Sequence, residues 1–174
     1  MKFLLSFIIS SLFLLSNTDA QKIYGTRNGK ATFSAPSDED VKATNNEVNS
    51  RLADNGQMTF SLLIKSFKFK FAEMQDHFND QYLESNKFPR ADFKGMIVNL
   101  KEVDFGKDGS YKVSVKGDLT MHGVTKNITV TGTIEIKAGK PVVSCQFTIL
   151  MKDFNVNASS VTDKVNVDIS CQYQ

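Results

Sequence analysis

The chain predicts an all-β fold, an eight-stranded antiparallel barrel with one helix near an end. Apolar residues recur at every second position over most of its length, the period of a strand with one buried face. Short turn signals, among them Asn55-Gly56, Gly106-Lys107-Asp108-Gly109, His122-Gly123 and Ala138-Gly139, part these runs at hairpin spacing. One stretch, Phe71 to Gly95, carries helical spacing instead. Polar outer faces around a single apolar inner face favour a closed barrel over a two-sheet sandwich.

Lys22 to Ala35 reads as the first strand, broken at Asn28-Gly29 and followed by a turn at Pro36-Ser37-Asp38. Val41 to Ala53 holds few apolar residues amid Asn and Glu, which predicts a polar strand near an edge or a mixture of loop and strand. In Gln57 to Ile64, Met58, Phe60, Leu62 and Ile64 share a face; the apolar parity then switches to Phe67, Phe69 and Phe71, as a bulge would produce. Lys68 and Lys70 between these rings give the pattern of a single-stranded nucleic-acid platform, but the near-neutral charge favours a solvated basic face and no nucleic-acid partner.

Phe71, Met74, Phe78 and Tyr82 recur three and four apart, so one helical face is predicted to be buried, with Glu73, Asp76, Asp80 and Glu84 on the others. Pro89 ends the helix, because proline lacks the amide donor and disfavours a helical residue before it. Such a helix either covers an open barrel end or forms a lid over a ligand cavity. Ala91 to Phe105 returns to strand with a further parity change between Phe93 and Ile97 on one side and Met96, Val98 and Leu100 on the other. Ser110 to Met121 and Val124 to Ile136 alternate as a long hairpin, and Val142 to Met151 with Thr162 to Tyr173 form the last one.

Met1-Lys2, the apolar run Phe3 to Leu15 and Thr18-Asp19-Ala20 have the layout of a signal peptide over residues 1–20, too short for a comfortable membrane span. Cleavage after Ala20 would leave about 150 residues, the size of one domain, with no transmembrane segment in the mature chain. An exported product is expected, periplasmic or otherwise secreted. The net charge of +2 implies no strong steering to an acidic partner. Cys145 and Cys171 both share faces with apolar residues, and the midpoint between them falls in the connection Asn155 to Ser160, so a hairpin would bring them nearly opposite. They form either a candidate disulfide or two packed thiols.

Signals of catalysis are weak. There is no nucleophile elbow, glycine-rich phosphate loop or CxxC pair, no spaced histidine pair for a metal, and no cofactor motif. His77 lies near Glu73 and Asp80 and reads as a hydrogen-bonded surface histidine. His122 reads as a turn residue, with a rim contact to a polar headgroup as the sharper alternative. Asn127 and Asn157 head short glycosylation matches, the first inside a strand.

The stretches MQDHFNDQYLESNKFPRADFKG, GDLTMHGVTKNITVTGTIEI and FTILMKDFNVNASSVTDKVNVDIS resemble the YceI-like family of exported, lipocalin-like proteins. The similarity spans Lys65 to Gln174 and is most specific over Leu119 to Lys126; residues 21–55 depart from it, with Phe33 almost alone as an aromatic. The resemblance implies an eight-stranded barrel with a helix near one end, a long amphipathic lipid of polyisoprenoid type held inside, and no enzymatic activity. On this reading an apolar chain lies among Phe60, Leu62, Ile97, Val113, Val115, Ile128, Val130, Phe147, Ile149 and Val167, with Met74 and Phe78 of the helix closing one end. The alternative is a barrel filled by its own side chains that acts as a structural or interaction module.

Overall fold

The structure, a computed structural model, describes residues 21–36, 38–158 and 162–174. The predicted signal peptide, Ser37 of the first turn, and Ser159 and Ser160 of the last connection lie outside the described residues.

Strands β1 (Ile23–Ala35), β2 (Asp38–Ala53), β3 (Gln57–Leu63), β5 (Arg90–Ile97), β6 (Gly109–Met121), β7 (Val124–Lys137), β8 (Lys140–Leu150) and β9 (Lys164–Gln172) close into an antiparallel barrel. A two-residue strand, β4 (Lys68–Phe69), adds to the outer end of β2. Among the eight long strands, neighbours in space are neighbours in sequence, and β1 closes the ring by pairing with β9 (Phe33 opposite Val167) as well as with β2 (Thr26 opposite Ser50). Closure pairs every long strand with a neighbour on each side over part of its length, the β7–β8 ladder running only from Gly132 opposite Cys145 to Lys137 opposite Lys140.

Val41 to Ala53, expected at an edge or partly in a loop, lies inside the 16-residue strand β2 between β1 on one side and β3 and β4 on the other. Its polar inner positions are tolerated because each has a partner. The fully buried Asn45 donates through Nδ2 to the Leu63 carbonyl at 2.9 Å and accepts from the Glu47 amide at 2.8 Å. Ser50 donates to the Thr59 carbonyl at 2.9 Å, so the Tyr173 hydroxyl, 2.7 Å away, donates to Ser50 Oγ.

The parity change after β3 comes from one 3₁₀ turn, Ile64–Ser66, rather than from a bulge. It turns the chain out of register with β3 and brings Phe67 and Phe69 back over the barrel, beside Phe33 at 5.2 and 5.5 Å between ring centroids. The predicted strand Ala91 to Phe105 ends early, at Ile97. Met96 and Val98 face solvent, and a 3₁₀ turn at Leu100–Glu102 carries the chain under the barrel, where Phe105 stacks on Tyr24 at 5.9 Å.

This crossing plugs one end. Tyr24, Leu52, Met58, Ile97, Ile134 and Tyr173 form its centre, with Leu100, Val103 and Phe105 packed beneath. A second apolar cluster, containing Ile64, Leu83, Met121, Met151, Phe154 and Val165, occupies the opposite end. Each such side chain, fully buried, stabilises by about 1.5–3 kcal/mol. Between the two clusters the barrel is not filled.

Candidate functional site

The space between the clusters is a cavity of ≈ 290 Å³, at the small end of the roughly 300–1,000 Å³ usual for ligand pockets. Its wall follows from strand alternation. Phe60 and Leu62 of β3, Val113 and Val115 of β6, and Ile128 and Val130 of β7 present their inward side chains to it. Phe147 and Ile149 of β8 and Val167 of β9 complete that side, and Met74 and Phe78 lie over it. Ile97, expected to join them, is buried but does not line the cavity. It packs into the plug, where Gly56 sits against its Cβ, because the crossing after β5 fills that end.

Residues 21–55 contribute more wall than their polar composition promises, through Ala31, Phe33, Val41 and Val48. Phe33 stacks against Phe78 of the lid at 5.2 Å, and Phe67 and Phe69 join the same aromatic group. Alternation on the first strand gives only one ring; the group exists because three other segments bring theirs to it.

The lid is shorter and differently wound than its sequence spacing predicts. A six-residue α-helix, α1 (Ala72–His77), runs into a π-helical turn, Phe78–Tyr82, in which the Leu83 amide bonds to the Phe78 carbonyl at 2.9 Å. Phe71, expected on the buried face, caps the helix and is 44% exposed. Met74 and Phe78 are only half-buried, because the face they occupy looks onto open space.

Both histidines keep the placement their sequence contexts give them, in a turn and at the surface, but not the contacts. His122, at φ 50° in the β6–β7 turn, has a nearly buried ring that does not line the cavity. Its Nδ1 lies 3.0 Å from the Phe154 carbonyl and its Nε2 2.9 Å from Glu84 Oε2, with Phe88 packed edge-on at 4.5 Å. It therefore ties the lid to the β8–β9 connection and has no nitrogen left for a headgroup. His77, read as a hydrogen-bonded surface residue, is exposed, but its side chain also lines the cavity and has no hydrogen-bond partner among the described residues. The helical spacing Met74, His77, Phe78 contained this signal, but nearby carboxylates made a surface pairing look sufficient.

Cys145 and Cys171 are not bridged. The hairpin pairs Cys145 with Ile169 and Cys171 with Val143, so the two sit diagonally on the inner face, two residues out of opposition. Diagonal positions of this kind lie about 7–8 Å apart at Cα, beyond easy disulfide reach. Burial, reinforced by the Asp168 carboxylate, pushes the Cys145 thiol up to about 11; burial, reinforced by Cys145, pushes Cys171 up to about 12. Both stay protonated at neutral pH and are poor nucleophiles.

This has a measurable consequence. Above the ordinary value of 9.0 the unfolded chain releases its thiol protons while the folded chain keeps them. The unfolded state then binds fewer protons, and stability falls as pH rises through the interval between 9.0 and about 11. Urea titrations across that interval should show a steeper alkaline loss for the native chain than for the Cys145→Ala, Cys171→Ala double variant. Equal slopes would place both thiols in contact with water.

Comparisons with known proteins agree on the architecture. A UPF0312 protein of Pseudomonas fluorescens is 35% identical over 106 residues, which is 60% of this chain and 45% of that protein, so the chain matches less than half of that relative's length. A polyisoprenoid-binding domain from Saccharophagus degradans, implicated in plant cell wall breakdown, superposes with a TM-score of 0.72 at 14% identity, covering 87% of this chain and 97% of that one. BcnA of Burkholderia cenocepacia gives 0.62 at 18% identity over 82% and 94%, and the YceI protein of Campylobacter jejuni 0.55 at 19% over 74% and 80%. At these identities the solved structures establish a shared fold. The family model described as the YceI-like domain matches residues 18–173, and by that match the chain belongs to the YceI-like family.

Proposed function

We propose that this chain is an exported, non-catalytic carrier that holds a long-chain amphipathic lipid, of polyisoprenoid type, inside the barrel. The carrying observation is the cavity between plug and lid, walled almost throughout by Val, Ile, Leu, Met and Phe. Water in such a space finds too few polar partners, whereas an apolar chain gains about 0.8 kcal/mol for each methylene it buries. Chain length and shape then decide affinity more than any single polar contact. The Saccharophagus domain, described as polyisoprenoid-binding, shares the barrel and supports the choice of cargo class. Export rests on the character of residues 1–20; no helix among the described residues is long and apolar enough to cross a membrane.

The test is to purify the chain from its native compartment, extract it with organic solvent and analyse the extract by mass spectrometry. A stoichiometric isoprenoid or other long-chain species establishes a carrier and names its cargo. An empty extract from protein that also fails to take up added lipid overturns the reading in favour of an interaction module.

A further inference from the structure

We propose that the lipid enters and leaves the barrel sideways, through a seam between β7 and β8, while the lid stays fastened. The route rests on the carrier reading above and concerns the same cavity. The β7–β8 ladder stops at Gly132 opposite Cys145, so Val124 to Thr131 of one strand and Gln146 to Leu150 of the other share no pair and no hydrogen bond among the described residues. Their far sides are engaged throughout: β6 pairs with β7 as far as Met121 opposite Val124, and β9 pairs with β8 as far as Leu150 opposite Lys164. Two laddered halves therefore meet along an unladdered line, closed at each end. Towards the plug, Gly132 sits so close to β8 that a Cβ there would lie 2.6 Å from the Ser144 carbonyl oxygen. Towards the lid, the His122 ring lies 3.0 Å from the Phe154 carbonyl, and Val124 packs against the cluster that holds Met151 and Phe154.

The cavity reaches this seam from inside, and an outer groove reaches it from outside. Ile128 and Val130 of β7 and Phe147 and Ile149 of β8, all half-buried, line the cavity along the two edges. The groove, of ≈ 910 Å³, is lined by Thr131 and Gln146, where the ladder ends. Gly132, Ser144, Cys145 and Ile169 line both spaces, so a single layer of strand parts them there. From Asn127 to Thr131 and from Gln146 to Ile149 no residue is charged, so an apolar tail passing between the strands strips no ion of its water. Parting these edges also breaks no backbone hydrogen bond. Lifting the lid, by contrast, breaks the His122–Glu84 contact at 2.9 Å and the packing of Phe78 on Phe33, Phe67 and Phe69. The break between β2 and β3, beyond Asn49 opposite Ser61, gives no such route, because Asn45 bonds to the Leu63 carbonyl and Ser66 to Glu47 across it.

The experiment staples the seam. In a Cys145→Ala, Cys171→Ala background, Thr129→Cys and Thr148→Cys place thiols at exposed positions that would face each other if the ladder continued. They are joined by a bis-methanethiosulfonate linker, the shortest of a graded series that mass spectrometry shows to bridge them. Stopped-flow uptake of all-trans-retinol, and its release to phosphatidylcholine vesicles, should both slow about tenfold or more, and recover when dithiothreitol removes the linker. The dissociation constant should stay unchanged, because an obstacle on the path slows entry and exit by the same factor. The same linker between Lys116→Cys and Thr129→Cys, positions opposite each other in the intact β6–β7 ladder, should leave both rates as they were. Undiminished rates in the seam-stapled protein, a loss of affinity in step with the slowing, or equal slowing by the two staples overturns the lateral route while leaving the carrier intact. Failure of the unstapled protein to bind all-trans-retinol overturns the carrier reading and the route with it.

Discussion

Val115→Glu is expected to abolish lipid uptake while the barrel stays folded. Val115 is 8% exposed and lines the cavity from β6, opposite Val130 of β7. A carboxylate there brings its own water, or else takes up a proton at a cost, because no basic group lines the cavity to pair with it. Either outcome puts a polar block into the apolar wall of the cavity. Affinity for a long-chain fluorescent probe should fall about a hundredfold or more, the equivalent of about 2.7 kcal/mol. Lys116→Glu, one residue on and facing solvent, should bind as the native chain does. A folded Val115→Glu protein with undiminished affinity would show that the lipid is held elsewhere.

Gly117→Ala should be the most destabilising single-carbon change in the barrel. Gly117 faces Gly95 across the β5–β6 pair, and the Phe93 ring lies over both. A Cβ on Gly117 would overlap the Lys94 carbonyl oxygen and the Gly95 Cα, and would come within 2.7 Å of the ring. Two of these obstacles are backbone, which cannot swing aside as a side-chain end can. Overpacking of this kind costs about 3 kcal/mol, or about 6–12 °C in Tm for a domain of this size. Gly25→Ala is the matched control: nothing lies within 4 Å of its would-be Cβ, so stability should move by less than about 0.5 kcal/mol. A small loss at Gly117 would mean that β5 and β6 can part without disturbing the plug.

The long hairpins were legible because one physical fact, burial of a single sheet face, writes itself as period two. In β6 and β7 that pattern is broken only at Gly117, Lys126 and Gly132, and the bounds read from sequence differ from the observed strands by a residue at their ends. In β2 the same rule misled, since Asn45 and Ser50 are inward positions whose polarity is answered by Leu63, Thr59 and Tyr173, all distant in sequence. The parity changes after β3 and β5 were visible, but not their cause. A 3₁₀ turn and a bulge shift the register of side chains alike, and only the path of the chain distinguishes them.

The cavity divides along the same line. Sequence by itself determined the barrel class and all of the proposed wall that comes from strands other than β5, because an inward position on a regular strand stays inward wherever the strand pairs. It also marked the lid through Met74 and Phe78. Tertiary structure alone decided that Ile97 belongs to a plug, that Cys145 and Cys171 sit diagonally, that His122 fastens the lid and that His77 lines the cavity. Each of these depends on where a connection crosses or how a hairpin is offset, and such displacements change which atoms meet without changing the periodicity that sequence records.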